Sequence, residues 1–420
     1  MSMDLAEECR TWAISAKAAS RELALASTEV KNRWLLASAE RLLADEVAIL
    51  AANARDVASA PDFGLSAASI DRLTLTPNRL HSAVEGLRQV ASLPDPIGEV
   101  REGHTRPNGL QVLKIGVPLG VIFFLYESRP NVTVDAAALC IKSGNAVILR
   151  GGKEAQHTNR ALHERLQAEL PKQGLPTTAV QLVPTADREA VGHLLKLNEF
   201  IDLTIPRGGE SLIRRVAVEA TMPVLKHYLG NCHLYIDEGY PIDGALAIAA
   251  NAKCQRPGVC NAIETVLLHR NWAETGLRPL AEHLMKLGVE LRGCPITCSA
   301  VPGAIPATDD DYAAEFLDLI LAVKVVSGWP EAVEHIARFG SGHTEAILTP
   351  SMAVARQFAA RVDAAAIAIN ASTRFHDGFE LGLGAEIGIS TDKFHARGPC
   401  GLRELTSTKY LLTGDGHIRA

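Results

Sequence analysis

From residue 117 onward, short apolar runs alternate with stretches of helical periodicity, and no other feature of the chain narrows its fold as much. The first series is Val121–Leu125, Ala146–Leu149, Val180–Val183 and Phe200–Ile205. A second series begins after about residue 230, with Thr265–Leu268, Leu319–Val326, Ala346–Leu348 and Ala366–Ile369, and with helical spacing near 275–287, 330–338 and 352–361. A strand that must rejoin a parallel neighbour needs a long crossover, and a helix on the sheet face supplies it. The alternation therefore predicts an α/β chain with two parallel-type sheets, each covered by helices on both faces. The first hundred residues read as helices. Leu35, Ala39, Leu42, Leu43, Val47 and Leu50 share one helical face. Thr76-Pro77 reads as an N-cap followed by a first-turn proline, opening a helix toward Leu93 that Pro94 and Pro96 end. Asn108-Gly109 reads as a two-residue hairpin turn, with Leu110 and Val112 alternating beyond it. A hairpin leaving a helical region is suited to an arm that reaches another subunit.

Composition removes several classes of function. The chain has 420 residues, enough for two or three domains, and 47% of them are hydrophobic, which rules out wholesale disorder. The net charge of −6 leaves no global basic field, so no nucleic-acid partner is expected. The longest apolar run, Ile115 to Tyr126, is too short for a membrane span and contains Pro118. Asp4, Glu7 and Glu8 stand where a secretory leader would be basic, so a cytoplasmic protein is expected. The eight cysteines are scattered, as in reduced proteins. Cys294 and Cys298 have a spacing a metal could use, but no second Cys or His pair stands near them, so no metal is expected.

Four segments carry possible chemistry. In Gln255-Arg-Pro-Gly-Val-Cys260-Asn, Cys260 follows a Pro-Gly pair that can expose a thiol and aim amide groups at a substrate oxygen. Lys253 and Arg256 are close enough in sequence to favour its thiolate. The alternatives are a buried cysteine beside a turn, and Cys254 as the nucleophile. Gly208 and Gly209 lie between a strand and a helix, the arrangement that offers amides to phosphate. Arg150 and Lys153 follow another apolar strand. An arginine there in place of a carboxylate favours a phosphorylated ribose, hence NADPH over NADH. The polar, glycine-rich stretch from Asn370 to Gly388 and the following Arg397 form either a site wall or a surface loop; Arg374 and Arg397 are able to grip carboxylate or phosphate.

Several longer motifs resemble one family: Val117-Pro-Leu-Gly-Val-Ile, Tyr126-Glu-Ser-Arg-Pro-Asn131, Gln255-Arg-Pro-Gly-Val-Cys260-Asn-Ala, Asn370-Ala-Ser-Thr-Arg-Phe, Gly382-Leu-Gly-Ala-Glu-Ile-Gly-Ile-Ser and His395-Ala-Arg-Gly-Pro-Cys-Gly-Leu-Arg-Glu-Leu-Thr. These resemble the γ-glutamyl phosphate reductases, the proline-biosynthesis branch of the aldehyde dehydrogenase superfamily. The resemblance implies an NADPH-binding domain (1–98 and 117–229), a catalytic domain (230–399) and an oligomerisation arm (99–116 and 400–420). It implies NADPH-dependent reduction of L-glutamyl 5-phosphate to L-glutamate 5-semialdehyde by a homo-oligomer. Glutamate 5-kinase, which makes this labile acyl phosphate, is a candidate partner by pathway logic. Residue by residue, the resemblance makes Cys260 the nucleophile and Glu315 the group that holds the nicotinamide ribose. It puts Gly208 and Gly209 beside the cofactor phosphates and Arg150 near the adenosine ribose; Lys153, the second cation of that turn, is a candidate for a nucleotide phosphate from its place after the strand. Asn131 is the candidate oxyanion side chain, although Glu127 aligns closer to that position. Arg256, Arg374 and Arg397 are the candidates for the substrate's anionic groups. Aldehyde-oxidising relatives carry a glutamate before Leu-Gly-Gly; here His227-Tyr228-Leu229-Gly230-Asn231 has none.

Overall fold

The computed structural model describes residues 4–419, apart from the side chains of Ala67 and Ala68. The chain divides into two compact units. One contains residues 1–226, 383–388 and 400–420, the other residues 227–382 and 389–399.

In the first unit, four parallel strands lie in the order Val180–Leu182, Ala146–Gly151, Val121–Tyr126, Leu203–Arg207. Val121–Tyr126 is buried along its whole length, which explains its uninterrupted apolar sequence. Tyr126 is in register with both Gly151 and Arg207, so the carboxyl ends of three strands finish together. Helices Thr28–Ala44 and Glu46–Ser59 replace the single helical face expected across residues 35–50. The helix restarts at Asp45, which buries Leu35, Ala39, Leu42 and Ile49 and leaves Val47 exposed. Thr76 caps Pro77–Ser92 as expected, its hydroxyl accepting from the Arg79 amide at 3.2 Å.

The hairpin joins Val100–Thr105 to Gln111–Pro118, and Thr406–Thr413 adds on the far side of Gln111–Pro118. Its turn is not the two-residue type. Thr105 pairs with Gln111, so the connection runs from Arg106 to Leu110, and Gly109 takes the positive φ it needs there.

The second unit is a seven-stranded parallel sheet. Its order is Ile305–Pro306, Glu290–Gly293, Ile320–Val326, Ile263–His269, Cys232–Ile236, Thr344–Leu348, Ala366–Ile369. Alternate residues face opposite layers. Leu234, Ile236, Val266 and Leu268 pack with helices Ile242–Cys254 and Arg270–Lys286. Tyr235, Leu267 and Ile347 pack with Trp329–Phe339 and Met352–Arg361. Among the described residues no helix is long and apolar enough to cross a membrane, and no disulfide joins any two cysteines.

Candidate active site

Three adjacent strands of the second unit, Ile263–His269, Cys232–Ile236 and Thr344–Leu348, run in the same direction. Cys260, His227 and His343 stand shortly before them, and Glu315 shortly before the next strand, Ile320–Val326. These residues therefore gather at the amino edge of the sheet. Open parallel sheets usually take ligands at the carboxyl edge, so the cluster lies at the opposite end from that rule.

Cys260 sits in the turn between helix Ile242–Cys254 and strand Ile263–His269, and is half-buried. Gly258 is not in the left-handed region, so the freedom expected of the Pro-Gly pair is not what shapes this turn. The decisive glycine is Gly230. A Cβ there would lie 2.1 Å from the Cys260 carbonyl oxygen and 2.5 Å from its Cα. The Cys260 backbone thus rests directly on the backbone at Gly230. The Cys232 thiol donates to the Cys260 carbonyl at 3.1 Å. Burial pushes the Cys232 thiol well above its usual range, which keeps that proton in place.

The turn is also tied to the segment after strand Ala366–Ile369. That segment starts at Asn370, whose side chain accepts from the Thr349 amide, and returns to His376, which meets the Thr344 hydroxyl at 2.7 Å. On the way, Thr373 donates to the Asn261 carbonyl at 2.6 Å, and Asn261 donates to the His376 carbonyl at 3.0 Å. Arg374 holds the turn at both ends: its Nε donates to Gln255 at 2.7 Å and its Nη1 to the Asn261 side chain. The polar stretch from Asn370 is therefore a wall of the cysteine turn and not a plain surface loop.

The cation expected beside the thiol is not Lys253. Its Nζ lies 2.5 Å from Glu264, and both side chains are fully buried. The pair is a closed structural link between the helix and the strand that flank Cys260. Burial raises the Glu264 carboxyl to about 7, against the pull of Lys253. Arg374 is a cation that does interact electrostatically with Cys260. Burial lowers its pKa from the usual arginine range, and its further electrostatic neighbours include Asp377, Arg256 and Cys260. Arg256, Arg374 and Cys260 are thus brought together. Arg397 is engaged elsewhere, with Asp363 at 2.9 Å. Glu315 lies near Glu264, in a segment whose Leu317 amide donates to Glu264 at 3.3 Å. Leu317 holds φ at 54°, a strained conformation for leucine, beside the cysteine turn.

In the first unit, the carboxyl edge of the four-stranded sheet collects Glu127, Arg150, Gly208 and Gly209. Gly209 caps helix Glu210–Glu219, and its amide donates to the Glu127 carboxylate at 2.8 Å. A Cβ on Gly208 would lie 2.5 Å from the same carboxylate. The turn therefore does accept an anion, and its close approach depends on Gly208, since a Cβ on Gly209 would stand 3.8 Å away in ordinary contact. Arg150 folds back onto the carbonyls of Gly151 and Ala186, at 3.0 and 2.9 Å. Lys153 lies over the Phe63 ring, 4.9 Å from its centroid. Lys153 borders a cleft lined by Gly152, Leu182 and Thr185, and Arg150 is tied to two residues of its wall, Gly151 and Ala186, without lining it. Asn131 donates to Asp135 at 3.0 Å one turn along its own helix, and burial raises the Asp135 carboxyl to about 6.

The aldehyde dehydrogenase family model matches residues 5–292. The γ-glutamyl phosphate reductase of Rhodopirellula baltica is 57% identical over 416 residues, covering 99% of this chain and 96% of its own. That of Carboxydothermus hydrogenoformans is 53% identical over 413 residues, covering 98% and 100%. The chain belongs to the γ-glutamyl phosphate reductase family. The crystal structure of γ-glutamyl phosphate reductase from Thermotoga maritima matches with a TM-score of 0.96 at 43% identity, covering 98% of this chain and all of that one. An acetylating aldehyde dehydrogenase from Geobacillus thermoglucosidasius shares the fold, with a TM-score of 0.69 at 16% identity. Membership of this family and of the aldehyde dehydrogenases makes the chain an oxidoreductase using a nicotinamide cofactor.

For this family member, reading the sequence missed His227, His343, His376 and Thr344. His227 donates through Nδ1 to the Ile389 carbonyl at 2.9 Å. His343 Nδ1 meets the Thr344 hydroxyl at 2.7 Å. One ring nitrogen of each lies within 4.8 Å of the other and of Cys260 Sγ. The His-Tyr pair before Leu229-Gly230, read only as a missing glutamate, was the available signal.

Proposed function

We propose that this chain reduces L-glutamyl 5-phosphate to L-glutamate 5-semialdehyde and phosphate with NADPH, the second step of proline biosynthesis. The observation that carries the proposal is a cysteine held by its backbone against Gly230, beside Arg374, in a chain 57% identical along nearly its whole length to a γ-glutamyl phosphate reductase.

The Cys260 thiolate, favoured by the Arg374 guanidinium, attacks the acyl carbonyl, and phosphate leaves with the electron pair of the broken C–O bond. The backbone amides of the clamped turn are fixed in advance, which suits them to the developing oxyanion. Asn131 is the side-chain candidate for the same task. Arg256 and Arg374 meet the substrate's anionic groups, with Arg397 as the third candidate. A thioester on Cys260 results. No glutamate stands before Leu229-Gly230 to activate water, so the thioester is not lost to hydrolysis.

A nicotinamide cofactor, when bound, supplies the hydride that reduces this carbonyl. Its phosphates suit the Gly208–Gly209 turn, where the Glu127 carboxylate already shows an anion on the Gly209 amide. Lys153 borders the cleft suited to the phosphorylated ribose that distinguishes NADPH, Arg150 at the end of the adjoining strand is the second candidate for it, and Glu315 is the candidate for the nicotinamide ribose. The three-stranded sheet is proposed as the contact of a cytoplasmic homo-oligomer, with glutamate 5-kinase as a candidate donor of substrate.

The test runs the reaction backward, with NADP⁺ and glutamate semialdehyde, with and without phosphate. Phosphate-dependent NADPH formation, abolished in Cys260→Ala and in Cys260→Ser, is the expected outcome. Phosphate-independent formation would mean a hydrolytic dehydrogenase, and near-normal turnover in Cys260→Ser would remove Cys260 as nucleophile.

A further inference from the structure

His227, Cys260 and His343 offer two imidazole nitrogens and one thiol sulfur, all within 4.8 Å of one another. No other such group of histidine, cysteine or acidic residues occurs among the described residues; Cys294 and Cys298, whose spacing invited a metal, are not part of one. We propose that this trio binds a soft divalent cation, Zn²⁺, and that its occupancy reversibly silences the nucleophile.

The chemistry of the donors points to that ion. Thiolate and imidazole select zinc over the oxygen-loving magnesium and calcium. Tetrahedral bonds of roughly 2.0–2.3 Å place neighbouring ligand atoms about 3.5 Å apart. The trio therefore needs only a small contraction. His227 and Cys260 are half-buried and can supply it, whereas His343 is held in the core.

The surroundings of the two histidines form an independent observation. A histidine that ligates a metal nearly always has its other ring nitrogen engaged by a carbonyl, a carboxylate or water. Nδ1 of His227 donates to the Ile389 carbonyl at 2.9 Å, a contact that only the Nδ1–H form can make. In the neutral ring Nε2 then carries the lone pair. His343 has Nδ1 against the Thr344 hydroxyl at 2.7 Å, and the same hydroxyl meets Nδ1 of His376 at 2.7 Å. When Thr344 donates to His376 and accepts from His343, Nε2 of His343 carries the lone pair as well. That form has the His343 proton on Nδ1 and the His376 lone pair on Nδ1, with the Thr344 hydroxyl hydrogen turned toward His376.

Three protein ligands leave a fourth position for water, the arrangement of an open and exchangeable site and not of a structural one. As the Sγ–Zn bond forms, the thiol proton leaves to solvent, and the sulfur lone pair needed for attack on an acyl carbon is engaged. A chelator reverses the block.

The test titrates the chelator-treated full-length chain with Co²⁺ as a spectroscopic stand-in, then with Zn²⁺. One equivalent of Co²⁺ is expected to give a thiolate-to-cobalt charge-transfer band in the near ultraviolet and tetrahedral bands in the visible, bleached by Zn²⁺. Cys260→Ala should lose the charge-transfer band, and Cys294→Ser should keep it. His227→Gln and His343→Gln should each weaken Co²⁺ binding at least about tenfold. His227 is half-exposed, so its variant answers the question even where the buried His343 variant folds poorly. Zn²⁺ should suppress turnover of the wild type over the range in which it bleaches cobalt, with recovery on chelation. The proposal is overturned by the absence of a charge-transfer band at one equivalent, by a band that survives Cys260→Ala, or by His227→Gln binding that equals wild type. The spectrum needs no turnover, so its outcome is separable from that of the reaction proposed above.

Discussion

Gly230 and Cys260 touch backbone to backbone, so the smallest enlargement of one displaces the other. Gly230→Ala is expected to cost about 1–3 kcal/mol of stability through overpacking, and to lower kcat more than it raises KM because it moves the nucleophile itself. Urea unfolding together with steady-state kinetics reads both. Arg374 braces the same turn and interacts electrostatically with the Cys260 thiol. Arg374→Gln should slow alkylation of Cys260 by iodoacetamide at neutral pH by up to about tenfold, the value of one pKa unit. An unchanged rate would assign Arg374 to bracing alone. At this scale the sequence was informative where chemistry is local. The motif from Gln255 to Asn261 pointed to Cys260 because the signal lay within seven residues. His227 and His343 were illegible because adjacent parallel strands bring together positions more than a hundred apart. Lys253 misled because its partner, Glu264, lies across the turn and inside the core.

The helix Ile242–Cys254 and the strand Ile263–His269 are joined by the Lys253–Glu264 pair, fully out of water. Lys253→Met should cost about 3–5 kcal/mol, since it leaves a buried carboxylate without its counter-charge. Adding Glu264→Leu should recover most of that loss, because an apolar pair of similar volume needs no desolvation of charge. Urea midpoints of the single and double variants check this. On helix Trp329–Phe339, His335 packs among Tyr312, His233 and Phe339, and burial lowers its pKa to about 3. Between about pH 3 and 6.5 the unfolded chain binds a proton that the folded chain refuses, so stability falls as pH falls through that window. Comparing pH 7 with pH 5, His335→Phe should flatten this fall by about 2 kcal/mol. Elements were legible from their apolar runs. The strand Cys232–Ile236 escaped notice because His233 breaks the run. Its polarity is tolerable only because Glu345, opposite it on the next strand, accepts from it at 3.0 Å. The helix break at Asp45 escaped because a continuous heptad-like pattern of apolar residues crosses it.

At the scale of the whole molecule, the two-sheet α/β plan followed from the alternation of runs, and the three-stranded sheet did not, because its last strand comes from the far end of the chain. The chain passes between its two compact units four times, after residues 226, 382, 388 and 399. A chain ending at Leu405 would leave the backbone edge of Gln111–Pro118 bare. Such a truncation is expected to lower soluble yield and raise light scattering relative to the full chain. The same pairing sets a timetable during synthesis. The hairpin of Val100–Thr105 and Gln111–Pro118 leaves the ribosome about 290 residues before its third strand, which at 5–20 residues per second is a wait of roughly 15–60 s. Throughout that interval the nascent chain displays an open strand edge to its neighbours on the polysome. Chaperone demand should therefore track the rate at which the second half of the message is translated.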